Sequence, residues 1–213
     1  MNVVFIGASG LVGKSLLSLL IESPAIQKIE LITRKKININ SSKIDQFVFS
    51  DLAPSTLENL QINGDTFVCS LGTTIKNAKT KQQFIAVDYG LVTAFFDLAK
   101  RVSAKSSHVI SAKGANSSSL IFYNKVKGET EDYLKNLNLP SLYIYRPSLL
   151  IGEREEKRRG EEMAIKIYRQ ISPVLPKKLK KVIGSEVNDL AKKMAENILG
   201  HQEGIYFIES TDL

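Results

Sequence analysis

The sequence predicts a doubly wound α/β fold, a mainly parallel sheet of about seven strands with helices on both faces. Three observations predict it. Short apolar, β-branched runs alternate with helical patterns almost from end to end. The first of these runs breaks at once into glycines that open an apolar helix. A chain of 213 residues with 43% apolar content is enough for one full core, so a single domain over 1–213 is expected.

Strands are read near residues 3–6, 29–33, 46–49, 66–70, 108–111, 142–145 and 205–208. The first helix begins near Leu11. Ser55 with Glu58 reads as a capping box for a helix near 56–60, and Thr80 with Gln83 as another for a helix over 81–101. In that long helix Phe84, Val87, Leu91, Ala94, Phe95 and Leu98 recur at helical spacing on one face. The face fits either the core of the domain or a homodimer contact. Val187–Leu199 is helical by pattern, and Gly200 stops it. Two segments are irregular: the polar stretch 76–80, and 152–184, which mixes charge, a helix around 161–171, Pro173 and Pro176. Both follow strand C-termini, where open α/β sheets bind ligands, so both are expected as lips of a site and the second as a lid.

Composition narrows the function. The opening apolar run is too short for a signal peptide and nothing approaches a membrane span, so a cytoplasmic protein without membrane insertion is expected. One cysteine, Cys69, lies in an apolar run and excludes an internal disulfide. Two isolated histidines, His108 and His201, give no ligand-spaced metal cluster. The net charge of +7 is spread over Arg34 to Lys36, Lys76/Lys79/Lys81, Arg154 to Arg159 and Lys177 to Lys181, with no interleaved aromatics. An anionic cofactor accounts for such a balance, and no nucleic-acid partner is expected.

The glycines carry the first functional signal. Gly7 lets the chain turn off the strand, Gly10 lets backbone approach a phosphate, and Gly13 lets the helix pack close to the strand. The helix start at Leu11 and Val12 offers unpaired N–H groups to an anion, and Ser9 adds a hydroxyl. The spacing GxxGxxG is a variant of GxGxxG, and it points to the pyrophosphate of a dinucleotide. At the end of the second strand, where an acidic residue would bind an NAD ribose, stand Arg34 and Lys35, while Glu30 lies too early. Cations there favour a 2′-phosphate, hence NADP(H). Asp51 reads equally as an acceptor for the adenine amino group or as a turn residue. Ser70-Leu71-Gly72-Thr73-Thr74 closes the fourth strand where the backbone must pass the cofactor, with Gly72 and Thr73 nearest.

The second signal is Tyr123-Asn-Lys-Val-Lys127, which puts a phenol and an ammonium on one helix face. A phenol of pKa about 10 is a weak acid at neutral pH; a neighbouring cation favours its ionised form and tunes it for proton transfer. Ser111, at the end of the fifth strand, would complete the set by hydrogen-bonding the substrate oxygen.

Taken together, Gly7-x-x-Gly10-x-x-Gly13, the Ser70–Thr74 stretch, Ile110-Ser-Ala-Lys-Gly-Ala115, Phe122-Tyr-Asn-Lys-Val-Lys-Gly-Glu129 and Arg146-Pro-Ser-Leu-Leu-Ile-Gly152 resemble the atypical short-chain dehydrogenases/reductases. The resemblance is to the subgroup of the Tat-interacting protein and its small bacterial relatives, and it spans nearly the whole chain. It implies a Rossmann fold, NADP(H) at the glycine loop, and Tyr123 and Lys127 as the catalytic pair. It further implies Leu150 against the nicotinamide and Arg158 near the cofactor, although the charged run around Arg158 reads equally as a solvated loop. One departure is Ala112 after Ser111, where many short-chain enzymes carry a second hydroxyl; Ser117, Ser118 and Ser119 lie nearby. The expected function is an NADP(H)-dependent oxidoreductase acting on a small carbonyl/alcohol substrate. Some atypical members bind the dinucleotide and act through protein partners, so a redox-sensing regulatory protein is the alternative, and a nucleotide-sugar epimerase is a more remote one.

Overall fold

A computed structural model of the chain describes residues 1–152 and 183–213. The expected lid, with Arg158 and the Lys177 to Lys181 run, lies outside the described residues apart from its ends. The main sheet is built from β1 (Asn2–Ile6), β2 (Lys28–Thr33), β3 (Ile44–Val48), β4 (Thr66–Cys69), β5 (Ser106–Ile110), β6 (Ser141–Arg146) and, last in the chain, β9 (Gly204–Glu209). Its order is β3-β2-β1-β4-β5-β6-β9, and every pair is parallel. All seven expected runs are strands of this sheet.

The strands are apolar on both faces because helices cover both. Val4, Ile6, Phe67, Cys69, Val109, Leu142 and Ile144 join one core with α2 (Pro54–Glu58), α5 (Val92–Arg101) and α6 (Phe122–Asn136). Val3, Phe5, Leu31, Val68, Tyr143 and Tyr145 join the other with α1 (Leu11–Glu22) and α7 (Val187–Leu199). Residue alternation along each strand, with period two, sorts neighbours between the two cores.

Three details depart from the sequence reading. Helix α2 starts at Pro54, where the missing N–H costs nothing, and its start is closed by the Ala53 N–H donating to Thr56 Oγ1 at 3.3 Å; Ser55 and Glu58 are not its box. The polar stretch after β4 contains a one-turn helix, α3 (Ile75–Ala78), capped by Thr74, whose hydroxyl accepts from the Asn77 N–H at 3.2 Å. The long helix is three pieces. α4 (Lys81–Ile85) is capped by Thr80 as expected, a π-helical turn follows over Ala86–Leu91, and α5 completes it.

A second, two-stranded parallel ribbon was not expected. β7 (Leu149–Ile151) pairs with β8 (Gly184–Glu186), and the hydroxyl of Ser185 accepts from the Ser148 N–H at 3.1 Å. Gly184-Ser185-Glu186 has no apolar alternation, so nothing local marks it as a strand; only its partner does. Among the described residues no helix is long and apolar enough to cross a membrane.

Candidate active site

The chain reverses its direction of winding between β1 and β4, and ligands in open α/β sheets bind at that switch, beyond the strand C-termini. A cleft of 880 Å³ opens there. Its floor is the β1–α1 turn. Gly7 has φ +90°, a conformation side chains rarely tolerate, and its carbonyl accepts from the Gly10 N–H at 2.9 Å and the Ser70 hydroxyl at 2.9 Å. Gly13 lets α1 lie on that turn: a Cβ there would sit 2.3 Å from the Gly7 oxygen. Helix α1 begins at Gly10, and its first turn has no side-chain cap; Leu11 and Val12 of that turn line the cleft.

The structure brings most of the expected residues to this one wall. Ser9, Gly10, Leu11, Val12, Arg34, Gly72, Thr73, Ser111, Tyr123, Lys127 and Leu150 all line the cleft. Gly7 and Gly13 shape it from behind. Lys35 and Asp51 are not among its lining residues. After β2 the Thr33 hydroxyl donates to the Lys35 carbonyl at 2.8 Å, closing a tight turn that leaves Arg34 on the wall. The Asp51 carbonyl accepts from the Thr56 hydroxyl at 3.3 Å, a turn contact ahead of α2. Glu30 is mostly buried and takes the Lys28 ammonium at 2.7 Å, at the start of β2. Lys14 and Lys113 also line the cleft and escaped the sequence reading; with Arg34 and Lys127 they are four cations on the wall, and among the described residues no carboxylate lines it.

Helix α6 delivers Tyr123 and Lys127 to the cleft one turn apart. Tyr123 packs on Phe84 with ring centroids 5.6 Å apart. Lys127 is buried, and its Nζ lies 2.7 Å from Oδ1 of Asp88, which is fully buried in the π-helical turn. Asp88 Oδ2 accepts from the Thr73 N–H at 2.9 Å. Burial works against the ammonium, but the charges of Asp88 and then Tyr123 more than offset it, so the Lys127 pKa lies above that of an ordinary lysine. Burial pushes the Cys69 thiol up to about 12, so it is no thiolate.

Ser111 reaches the cleft, but its hydroxyl is engaged. It donates to Glu131 Oε1 at 2.5 Å, one turn beyond Lys127 on α6. Glu131 is buried and is gripped by Arg146, whose Nε and Nη2 donate to its two oxygens while Nη1 reaches Glu209 at 3.0 Å. The hydrogen bond to Glu131, with Glu209 beside it, holds the Arg146 pKa above its usual value.

Besides Lys14 and Lys113, the sequence reading missed the two buried carboxylates beside the candidate site, Asp88 and Glu131. Asp88 falls four residues after Phe84, on the apolar face of its helix. A carboxylate in that stripe must meet a cation, and this was the available signal. Glu131 continues the Tyr123, Lys127 face at the next four-residue step.

No protein-family model matches the chain. It is 35% identical over 156 residues to the mitochondrial protein FMP52 of Meyerozyma guilliermondii, covering 73% of this chain and 67% of that protein. It is 30% identical to the mitochondrial protein fmp52 of Aspergillus clavatus, covering 100% of this chain and 96% of that one. It is 33% identical to HTATIP2 of Rattus norvegicus, covering 78% and 70%. The cytoplasmic location expected from the sequence is overturned by these relatives, since the FMP52 proteins are named as mitochondrial. Among solved structures, MoeE5 in complex with UDP-glucose and NAD superposes with a TM-score of 0.71 at 12% identity, covering 98% of this chain and 75% of that one. WbmG of Bordetella bronchiseptica in complex with NAD gives 0.69 at 13%, covering 98% and 72%. These superpositions show a Rossmann-like α/β fold, and the chain belongs to the FMP52/HTATIP2 family.

Proposed function

We propose that the chain is an NADP(H)-dependent oxidoreductase acting on a small carbonyl/alcohol pair. One observation carries the reading: the Tyr123–Lys127 pair and the uncapped start of α1 line the same cleft. The residues fit the coenzyme. N–H groups at Leu11 and Val12 suit its pyrophosphate, Arg34 suits the 2′-phosphate, and Lys127 suits the nicotinamide ribose. When bound, the coenzyme would supply or accept the hydride. In the reductive direction the Tyr123 hydroxyl donates its proton to the substrate oxygen as negative charge develops there, and the Lys127 ammonium favours the phenolate left behind.

A second reading, a coenzyme-binding regulatory protein without turnover, is favoured by Ser111, whose proton is held by Glu131, and by Ala112 beside it. A nucleotide-sugar epimerase is a more remote reading.

The test is calorimetric titration with NADPH, NADP and NADH, followed by a screen of small aldehydes, ketones and quinones for NADPH consumption. The leading reading expects NADPH binding, turnover of some carbonyl compound, and a Tyr123→Phe variant that loses turnover while keeping its coenzyme affinity. NADPH binding with no turnover favours the regulatory reading. Absence of binding by folded protein overturns both.

A further inference from the structure

One carboxylate joins three parts of the site. Asp88 sits on the π-helical turn Ala86–Leu91, takes the Lys127 ammonium of α6 at 2.7 Å, and takes the Thr73 N–H of the loop after β4 at 2.9 Å. The Thr130 hydroxyl, also on α6, donates to the Asp88 carbonyl at 3.0 Å and ties the same two elements again. Gly72 stands beside the contact: a Cβ there would meet Asp88 Oδ1 at 3.7 Å and Lys127 Nζ at 3.8 Å, ordinary van der Waals distances. π turns inside helices occur frequently at functional sites.

We propose that Asp88 is the positioning residue of this site, holding Lys127 charged and aimed at the cleft and clamping the Gly72–Thr73 wall beside it. The proposal rests on the reading of Lys127 as a coenzyme-binding ammonium. A buried lysine without a counter-charge loses its proton, and a neutral amine neither stabilises a phenolate nor offers three donors. Among the described residues no other group facing Lys127 replaces Asp88. Tyr123 stands one turn earlier on α6 as a phenol, Cys69 on β4 is a neutral thiol, and Glu131 one turn later is occupied by Arg146 and Ser111. Asp88 thus makes the coenzyme-side loop and the proton-transfer helix one rigid unit.

The test compares wild type, Asp88→Asn and the charge-compensated Asp88→Asn/Lys127→Met by two readouts, with thermal unfolding as the control for folding. First, NADPH affinity is measured by calorimetry from pH 7 to 9.5. Wild type should stay within about twofold, Asp88→Asn should weaken about tenfold or more as pH rises and Lys127 discharges, and the double variant should be weak and flat. Second, lysine side-chain nitrogen resonances are titrated in coenzyme-free protein. Asp88→Asn should show one lysine with its pKa lowered by about two units or more, and the double variant should lack that resonance. A folded Asp88→Asn that tracks wild type at every pH and in every lysine resonance overturns the proposal. If Asp88→Asn does not fold, wild type carries the test: its Lys127 resonance, identified by loss in Lys127→Met, must titrate above the other lysines, and titration among them overturns it. Wild type that binds no NADPH sinks the coenzyme reading while the nitrogen titration still judges the Asp88 contact.

Discussion

The Ser111 hydroxyl and the Glu131 carboxylate lie 2.5 Å apart in a buried position, and Arg146 donates to both Glu131 oxygens from the other side. Ser111 is the donor, and the carboxylate oxygen accepts. The serine at the end of β5 is thereby a structural partner of α6. Ser111→Ala should lower the stability of the protein by about 1–3 kcal/mol, because it strips a donor from a buried carboxylate. Urea unfolding measures this, and an unchanged midpoint would show that the hydroxyl is free for the cleft.

Stability should depend on pH through His108. Its ring is wholly buried between the Ser106 hydroxyl at 2.7 Å and the Tyr145 hydroxyl at 3.0 Å, stacked on Tyr143 with centroids 4.8 Å apart. Burial, with His201 behind it, pushes its pKa down to about 3. The unfolded chain takes up a proton near pH 6.5, whereas the folded one does so only near 3. This contribution is therefore complete above pH 6.5 and declines as pH falls, by about 1.4 kcal/mol per unit, until it levels off near pH 3. Unfolding free energies of wild type and His108→Gln between pH 4 and 7 should converge toward acid pH; parallel curves would contradict the assignment.

The proposed 2′-phosphate role of Arg34 should separate the two nicotinamide coenzymes. A guanidinium on a 2′-phosphate makes a charge-assisted pair, and Arg34→Ala should weaken NADPH binding roughly tenfold to hundredfold while leaving NADH unchanged. Lys35→Ala should change little, since Lys35 does not line the cleft. Equal losses for both coenzymes in Arg34→Ala would remove the phosphate role.

Gly13→Ala forces a methyl to within 2.3 Å of the Gly7 oxygen and 2.8 Å of the Ala8 Cα, all backbone atoms that yield only by moving α1 off β1. The expected cost is about 1–3 kcal/mol, with coenzyme affinity falling as the helix start shifts. Thermal unfolding with and without NADPH reads both effects.

Much of this was legible because it is local. The seven strands announce themselves as apolar runs, the α1 turn by Gly7, Gly10 and Gly13, and the catalytic candidates by Tyr123 and Lys127 at a four-residue step that any helix places on one face. The β7–β8 ribbon was not legible, since Gly184-Ser185-Glu186 becomes a strand only beside Leu149–Ile151.

The sequence by itself determined the winding of the sheet, the phosphate-sized turn at its first strand and the phenol–ammonium pair. Tertiary structure alone decided that Lys127 is paired with Asp88, that Ser111 serves Glu131, and that Arg34 rather than Lys35 lines the cleft. The reason is physical. Periodicity and backbone geometry act between near neighbours, whereas a buried charge has meaning only with the partner that the fold brings to it from elsewhere in the chain.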